Sequence, residues 1–184
     1  MITIKRILVP CDLSTVSVPA IGYAISLAQD RDAEVILLNV QAMEAMKRHF
    51  TGGYVEGVAL TSGAPVAVQQ QPDIDNFYEQ KKQLLVAFAQ QKIAAELRKA
   101  VKIRPLVKLG KIVEEILATA REEQCDLVVM ASEGGRLRHL FGGTISERIV
   151  RYAPCPVLTM QPSAQIRFEK DQWLEVKQIA QWAA

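Results

Sequence analysis

The chain has 184 residues and few of the side chains on which metalloproteins and disulfide-rich proteins depend. It has three cysteines and two histidines, and aromatic residues make up only 6% of the sequence. Cys11, Cys125 and Cys155 form no CxxC pair and no spacing typical of zinc ligands. The first residues predict a strand and not a secretion signal. We therefore expect free thiols and a cytoplasmic protein.

Charge of one sign and long hydrophobic runs are also missing. The 22 Lys and Arg residues nearly balance 20 acidic residues, for a net charge of +2. That balance gives no electrostatic footprint for nucleic acid and no polybasic membrane anchor. No apolar run approaches the roughly 18 residues that a membrane helix needs. We expect neither nucleic acid nor membrane as a partner, and a hydrophobic content of 49% suffices for one globular core.

Five short runs rich in Val, Ile and Leu alternate with segments of helical periodicity. The runs predict strands, buried on both faces, at 4–10, 34–40, 101–109, 126–131 and 156–160. The segments between them predict helices at about 19–28, 73–99, 111–123 and 145–152. Right-handed crossovers between parallel strands place helices on both faces of one sheet. The alternation therefore predicts a doubly wound α/β domain with a single parallel five-stranded sheet in the order 3-2-1-4-5.

Two segments fall outside the alternation. Residues 42–72 are rich in Gly and Gln and have no sustained period, which is typical of a functional loop. Residues 162–184 carry aromatic and aliphatic side chains at helical spacing and predict a tail that docks on its own domain or on a dimer mate. We predict a main domain at 2–161, which contains the insertion at about 42–72, and a helical tail at 162–184. A protein partner is expected at the insertion or the tail.

The loop after the first strand is a candidate ligand site. In an open parallel sheet, ligands bind beyond the carboxyl ends of the strands where the winding reverses, here between strands one and four. Asp12 follows Pro10 and Cys11 at that point. Its carboxylate either accepts hydrogen bonds from a ribose or a base, or caps the following helix together with Ser14.

The loop after the fourth strand has two interpretations as well. It runs from Ala131 to Thr144 and contains a set of glycines and cations: Gly134, Gly135, Arg136, Arg138, His139, Gly142 and Gly143. Its backbone amides and the helix that starts at Thr144 either cradle a phosphate, or the glycines only turn the chain. In the second case Thr144 and Glu147 form a capping box that uses the helix donors internally.

Catalysis has little support in the sequence. His49 and His139 are its only histidines, and no nucleophile triad, HExxH motif or metal-ligand cluster can be assembled. Cys11 is either a reactive thiol, if a helix N-terminus lowers its pKa, or a small apolar filler at a strand end. We predict no catalytic residue and no metal bound by protein ligands alone, although Asp12, Glu133 and a bound phosphate would suit Mg²⁺.

Several blocks in order along the chain resemble the universal stress protein family. They are residues 7–14, 38–40, 110–116, 125–130 and, most specific, 143–158, within a region of similarity at 2–161. The resemblance implies a fold like that of the adenine nucleotide alpha hydrolases. It also implies a cytoplasmic homodimer that pairs through the last strand.

The resemblance implies a nucleotide site residue by residue. Nucleotide-binding members share a loop of Gly, two residues, Gly, nine residues, Gly, and Ser or Thr. Gly134, Gly143 and Thr144 match it, but Ala131 stands at the first glycine and only eight residues separate Gly134 from Gly143. Asp12 matches the acidic residue at the adenosine end. The remaining matched positions are Pro10, Cys11 and Val40 around that end and Ile145 on the helix, with Gly135, Arg136, Arg138 and Gly142 supporting the phosphate loop.

Three functions remain open on this basis. The first is a stress-response regulator that binds ATP or ADP, with or without Mg²⁺, and signals through its conformational state and dimer contacts, with at most slow ATP hydrolysis. The second is a dimeric interaction module of the same family that works without nucleotide. The third, a flavin-dependent redox protein, rests on fold analogy alone and lacks the Ser- and Thr-rich phosphate loop after strand one.

Overall fold

In a computed structural model, residues 3–42, 74–92, 101–132 and 144–161 are described. The strands are β1 (Arg6–Pro10), β2 (Glu34–Gln41), β3 (Lys102–Leu109), β4 (Leu127–Ala131) and β5 (Val157–Met160). A 3₁₀ turn (Thr15–Ser17) leads into α1 (Val18–Gln29), and the later helices are α2 (Ile74–Lys92), α3 (Ile112–Glu122) and α4 (Ile145–Tyr152). Each strand and α-helix lies within a segment predicted from periodicity, except that β2 extends past its segment by one residue and α1 by one residue at each end. The 3₁₀ turn was not predicted. The predicted insertion beyond residue 42, the end of the second predicted helix beyond residue 92 and the predicted tail lie outside the described residues.

The five strands form one parallel sheet in the order β3-β2-β1-β4-β5, as predicted. At its centre, Leu8 of β1 lies opposite Ile36 of β2 on one side and Val128 of β4 on the other. Because β1 connects to β2 and β4 connects to β5, the chain leaves these adjacent strands in opposite directions. The winding therefore reverses between β1 and β4.

Helices cover the two faces of the sheet and give two hydrophobic clusters. Alternate side chains of a strand point to opposite faces. On one face, Val9 and Leu37 pack with Ile21, Ile25 and Leu85 of α1 and α2. The other face has its own cluster, which contains Leu8, Ile36, Leu38, Val128, Ile116 of α3 and Ile149 of α4.

The prediction that all five strands are buried on both faces is wrong for β3 and β5. Val107 is the one buried residue of β3, and no residue of β5 is buried. These two strands lie at the edges of the sheet, so each has one neighbouring strand in the described part of the chain. Pro105 fits this position, because a strand proline is tolerated where no ladder donor is needed.

Polar contacts tie the amino ends of the strands together. The Oδ2 oxygen of Asp126 accepts hydrogen bonds from the backbone N–H groups of Lys5 and Arg6, at 2.7 and 2.9 Å. The Arg104 guanidinium donates to both carboxylate oxygens of Glu123, at 3.2 and 2.6 Å, and to Glu34 at 3.1 Å. At the opposite end of the sheet, where the strands finish, a cavity lies at the ends of β1 and β4.

None of the helices in the described ranges is long and apolar enough to cross a membrane.

Candidate functional site

A cavity of about 350 Å³ lies at the carboxyl ends of β1 and β4, within the size range of small-molecule sites. The strand ends form its floor, the loop after β1 forms one wall, and the amino ends of α3 and α4 form the other. The lining residues are Pro10, Cys11, Asp12, Val16, Ser17, Leu38, Val40, Ile112, Ile116, Met130, Ala131, Thr144, Ile145 and Ser146. Its place follows from the topology, since α1 and α4, the helices that follow β1 and β4 in the chain, pack on opposite faces of the sheet.

The structure brings together every described residue that the sequence analysis assigned to a nucleotide. The residues shared by the predicted site and the cavity lining are Pro10, Cys11, Asp12, Val40, Ala131, Thr144 and Ile145. The predicted phosphate loop lies outside the described residues, which applies to Gly134, Gly135, Arg136, Arg138, Gly142 and Gly143 as well as to Glu133.

The cavity has an apolar wall that was not predicted from the sequence. Leu38, Met130, Ile112 and Ile116 line it, and the last two come from α3, a helix with no assigned role. Ile112 is the first residue of α3 and is 39% exposed at the cavity. The sequence does contain one signal for this wall, which is an apolar residue at the start of a helix that follows a strand.

Asp12 is held by hydrogen bonds on one of its two oxygens. Its Oδ1 accepts from the Ser14 N–H at 2.9 Å, from the Ser14 hydroxyl at 2.7 Å and from the Ser17 hydroxyl at 2.8 Å. Partial burial opposes the charge, but the bonds from Ser14 and Ser17 outweigh it and lower the pKa of Asp12. Asp12 therefore stabilises the turn after β1, as the structural alternative predicted, but neither the 3₁₀ turn nor α1 has a side-chain cap at its start. The ionised Asp12 also lines the cavity.

Cys11 is an apolar filler and not an activated thiol. Its side chain is 4% exposed and packs in the cluster beneath α1. Burial raises the pKa of the Cys11 thiol, against the smaller effect of a 3.3 Å hydrogen bond from the Leu13 N–H. A reactive thiol requires a lowered pKa, so that interpretation of Cys11 is wrong.

The loop after β1 holds Leu13 in a left-handed backbone conformation, with φ of 66°. Side chains other than glycine rarely adopt this conformation, which costs about 1 kcal/mol. Leu13 is half-buried against the α1 and α2 cluster, so packing and the Cys11 contact stabilise the turn. This turn brings Asp12 back over the end of β1.

α4 begins with the predicted capping box. The Thr144 Oγ1 accepts a hydrogen bond from the Glu147 N–H at 3.2 Å, and the Glu147 carboxylate accepts one from the Thr144 N–H at 3.0 Å. The box uses one of the first helical donors. The N–H groups of Ile145 and Ser146 have no acceptor among the described residues, and both residues line the cavity. The positive end of the α4 dipole thus faces the same space.

The backbone of Val40 also faces the cavity. The Leu38 carbonyl accepts a hydrogen bond from the Cys11 N–H at 2.8 Å, towards β1, whereas the Gln41 carbonyl accepts one from the Gly110 N–H at 2.9 Å, on the β3 side. Successive peptide groups of a strand point to opposite neighbours, so Val40 directs its N–H and C=O towards β1. Since β1 ends at Pro10, those two groups extend past the end of the strand.

The described residues offer little for metal binding by protein side chains alone. Within the described ranges, no three His, Cys, Asp or Glu side chains lie close enough to hold an ion. Asp12 is the one carboxylate among the described residues that line the cavity.

Comparison with known proteins places this geometry in a family. The model of the universal stress protein family matches residues 3–161. Universal stress protein MJ0531 of Methanocaldococcus jannaschii is 29% identical over 158 residues, which cover 85% of this chain and 82% of that protein. Universal stress protein YxiE of Bacillus subtilis is 27% identical over 158 residues, with 85% and 99% covered.

Solved structures share the fold. The structure of MJ0577 of Methanocaldococcus jannaschii matches with a TM-score of 0.61 at 21% identity and covers 89% of this chain and 99% of that one. A universal stress protein in complex with cAMP matches with a TM-score of 0.53 at 18% identity, with 88% and 99% covered. An Arabidopsis thaliana universal stress protein family member with AMP bound matches with a TM-score of 0.52 at 17% identity, with 90% and 97% covered.

Proposed function

The chain belongs to the universal stress protein family, and on that premise we propose that it binds an adenine nucleotide in the cavity between β1 and β4. One observation carries the proposal. All the described residues that the resemblance assigned to a nucleotide, which come from three strand ends and a helix start, line a single cavity. Two solved proteins of the same fold hold adenine nucleotides, cAMP and AMP, which supports the same ligand class here.

The apolar wall and the Val40 peptide suit an adenine base. Leu38, Ile112 and Met130 offer the flat apolar surface that a base needs. Adenine carries an amino donor beside a ring-nitrogen acceptor, which complement the C=O and N–H of Val40. Guanine places a carbonyl oxygen where adenine has its amino group, so it would direct an acceptor at an acceptor. Val40 therefore favours adenine over guanine.

The ribose and phosphates have partners on the remaining sides. The ionised Asp12 accepts hydrogen bonds, and ribose hydroxyls donate them. The N–H groups of Ile145 and Ser146, at the positive end of α4, suit a phosphate. We propose that Gly134, Gly135, Arg136, Arg138, Gly142 and Gly143 complete the phosphate site, with Mg²⁺ bound through the phosphates of ATP or ADP.

The two departures from the family loop differ in weight. Ala131 is the last residue of β4, in extended conformation, and is not among the described residues with positive φ. Glycine's conformational freedom is therefore not needed at this position. The second departure is the loop between Gly134 and Gly143, which is one residue shorter than in the family. Phosphate binding depends on this loop.

We propose a regulatory role for the bound nucleotide in a stress response. The described residues around the cavity include no histidine and no second carboxylate to activate water. We propose that ATP hydrolysis is at most slow and that the nucleotide acts as a conformational signal to a partner at the insertion or the tail. We place this activity in the cytoplasm.

A charge placed in the apolar wall tests the site by calorimetry. Ile112→Glu puts a carboxylate beside the base, and we expect ATP affinity to fall at least tenfold, because an unpaired charge would be desolvated by the ligand. Ile74→Glu is the matched control, since Ile74 is similarly exposed, 43% against 39%, at the start of a helix away from the cavity. Equal ATP binding by both variants would contradict the proposed site.

The position of β5 at the edge of the sheet favours the second candidate, a dimeric module that works without nucleotide. β5 has one strand neighbour in the described part of the chain, and Val150 and Tyr152 of the adjacent α4 are each 56% exposed. An open edge invites pairing with another strand. Under this alternative, light scattering finds a dimer at micromolar concentration and calorimetry finds no nucleotide. A monomer under these conditions would exclude pairing through β5.

A further inference from the structure

Asn39 is a buried polar residue that does not touch the cavity. Its side chain is 2% exposed, and it lies on β2 between Leu38 and Val40, both of which line the cavity. Side chains of a strand alternate between faces, so Asn39 projects to the α1 and α2 face while Leu38 and Val40 project to the other. A buried amide that interrupts the apolar run of β2 needs an explanation from its hydrogen bonds.

The Asn39 side chain takes a carbonyl that the sheet would otherwise use. Its Nδ2 donates to the Cys11 carbonyl at 2.7 Å, and its Oδ1 accepts from the Gln41 side chain. A carbonyl oxygen needs a donor and only the amide nitrogen is one, which fixes the orientation of the amide. The register of β1 with β2 ends at Pro10 opposite Leu38.

If the hydrogen-bond ladder between β1 and β2 were one residue longer, the Val40 N–H would donate to the carbonyl of Cys11. In a parallel pair, a residue that donates to one residue of the next strand accepts from the residue two positions later. Cys11 donates to Leu38, so its carbonyl would accept from Val40. Among the described residues no hydrogen bond joins the Val40 N–H to the Cys11 carbonyl, which accepts from the Asn39 amide on the α1 and α2 face instead.

We propose that Asn39 is a positioning residue that keeps the Val40 N–H available to the base, an inference that rests on the proposed function. It acts through the Cys11 carbonyl and not by contact with the ligand. The same contact fixes the peptide that leads into Asp12. The Asn39 side chain therefore positions both the Val40 N–H and the Asp12 carboxylate.

Asn39→Leu tests this role, since leucine has a similar size and no donor. The Cys11 carbonyl is then free to accept from Val40, so the ladder extends by one bond and the protein stays folded. We expect the Kd for ATP to rise about tenfold and the preference for ATP over GTP to disappear. Thr119→Val is the matched control, because Thr119 is fully buried and its hydroxyl has no partner among the described residues.

Amide hydrogen exchange separates positioning from a general loss of stability. Without nucleotide, we expect the Val40 amide to exchange rapidly in the wild type and in Thr119→Val but to be protected in Asn39→Leu. ATP should protect it in the wild type. A general loss of packing would instead speed exchange at Val40 and at its neighbours.

The outcomes distinguish this inference from the proposed function. If the wild type binds no ATP, the proposed function fails and the inference fails with it. If the wild type binds ATP and Asn39→Leu binds it equally well, the inference alone is wrong. Unprotected Val40 in Asn39→Leu would also overturn it.

Discussion

Asp12 uses one carboxylate oxygen to hold the turn after β1. Its Oδ1 accepts the three hydrogen bonds from Ser14 and Ser17 that shape this turn. We infer that Oδ2 serves the ligand. The sequence offered a structural role and a binding role as alternatives, and one carboxylate has separate acceptor sites for both.

Asp12→Ala removes both roles. We expect the free energy of unfolding to fall by about 1–2 kcal/mol, since the serine donors lose their acceptor, and ATP affinity to fall at least tenfold. Urea unfolding and calorimetry measure the two effects. Asp75→Ala, at an exposed site in the first turn of α2, is the control and should leave ATP affinity unchanged.

The stability effect of Asp12→Ala has a defined pH dependence. Because the native pKa of Asp12 is lowered, its contribution is fully present above the unfolded pKa of about 3.9. It is lost as the pH falls through the lower native value. A difference between wild type and variant that grows on acidification would contradict this assignment.

The cysteines should react slowly in the folded protein. Burial raises the pKa of all three thiols, that of Cys125 to about 12, so little thiolate is present at pH 8. We expect iodoacetamide to label partly exposed Cys155 before Cys11 and Cys125, and to label all three equally in urea. Mass spectrometry of the labelled peptides checks the order, and rapid native labelling of Cys11 would revive the reactive-thiol interpretation.

α4 is an element whose start was predictable and whose surroundings were not. Thr144 and Glu147 stand at the spacing of a capping box, which local chemistry alone determines. That Ile145 and Ser146 line a cavity depends on where β1 and β4 end, which is a property of the assembled sheet. The same reason explains why the place of Ile112 at the cavity could not be predicted from the sequence.

The capping box gives a prediction at the scale of this helix. Thr144→Ala leaves the Glu147 N–H without its acceptor and should lower the free energy of unfolding by about 1 kcal/mol, measured in urea. Thr144→Ser keeps the hydroxyl and should retain the stability of the wild type. If both variants lose the same stability, the methyl group and not the cap is responsible.

The contact between β1 and β2 at Asn39 could not be predicted from the local sequence pattern. Periodicity predicted β2 correctly as a strand with a continuous apolar run, and Asn39 interrupts that run without ending the strand. Its role depends on the Cys11 carbonyl, 28 residues away in the chain. No short-range signal contains that partner.

At the scale of the whole molecule, ion pairs join the amino ends of the strands, and the cavity lies at the other end of the sheet. The amino ends of β1, β2 and β3 meet in the contacts of Arg104, Glu34 and Glu123. The carboxyl ends of β1 and β4 diverge around the cavity. The fold was predictable because strand and helix periods alternate along most of the chain, whereas periodicity does not encode these long-range ion pairs.

Glu123→Gln tests the ion pairs at the amino ends of the strands. The hydrogen bond with Arg104 lowers the pKa of Glu123, so its contribution exists above the unfolded pKa of about 4.3 and disappears as the pH falls through the native value. We expect a loss of no more than about 1 kcal/mol at pH 7, because these side chains are partly exposed. Urea unfolding at pH 7 and pH 3 measures it, and ATP affinity should not change. A loss that persists at pH 3 would contradict the ion-pair explanation.

The central claim is that the cavity between β1 and β4 holds an adenine nucleotide. Mass spectrometry of the small molecules released when the purified protein is denatured, after incubation with ATP and Mg²⁺ and removal of free ligand, tests it directly. We expect ATP or ADP in a ratio near one per chain, and a much lower ratio for Ile112→Glu. No adenine nucleotide from the wild type, or an equal amount from Ile112→Glu, would contradict it.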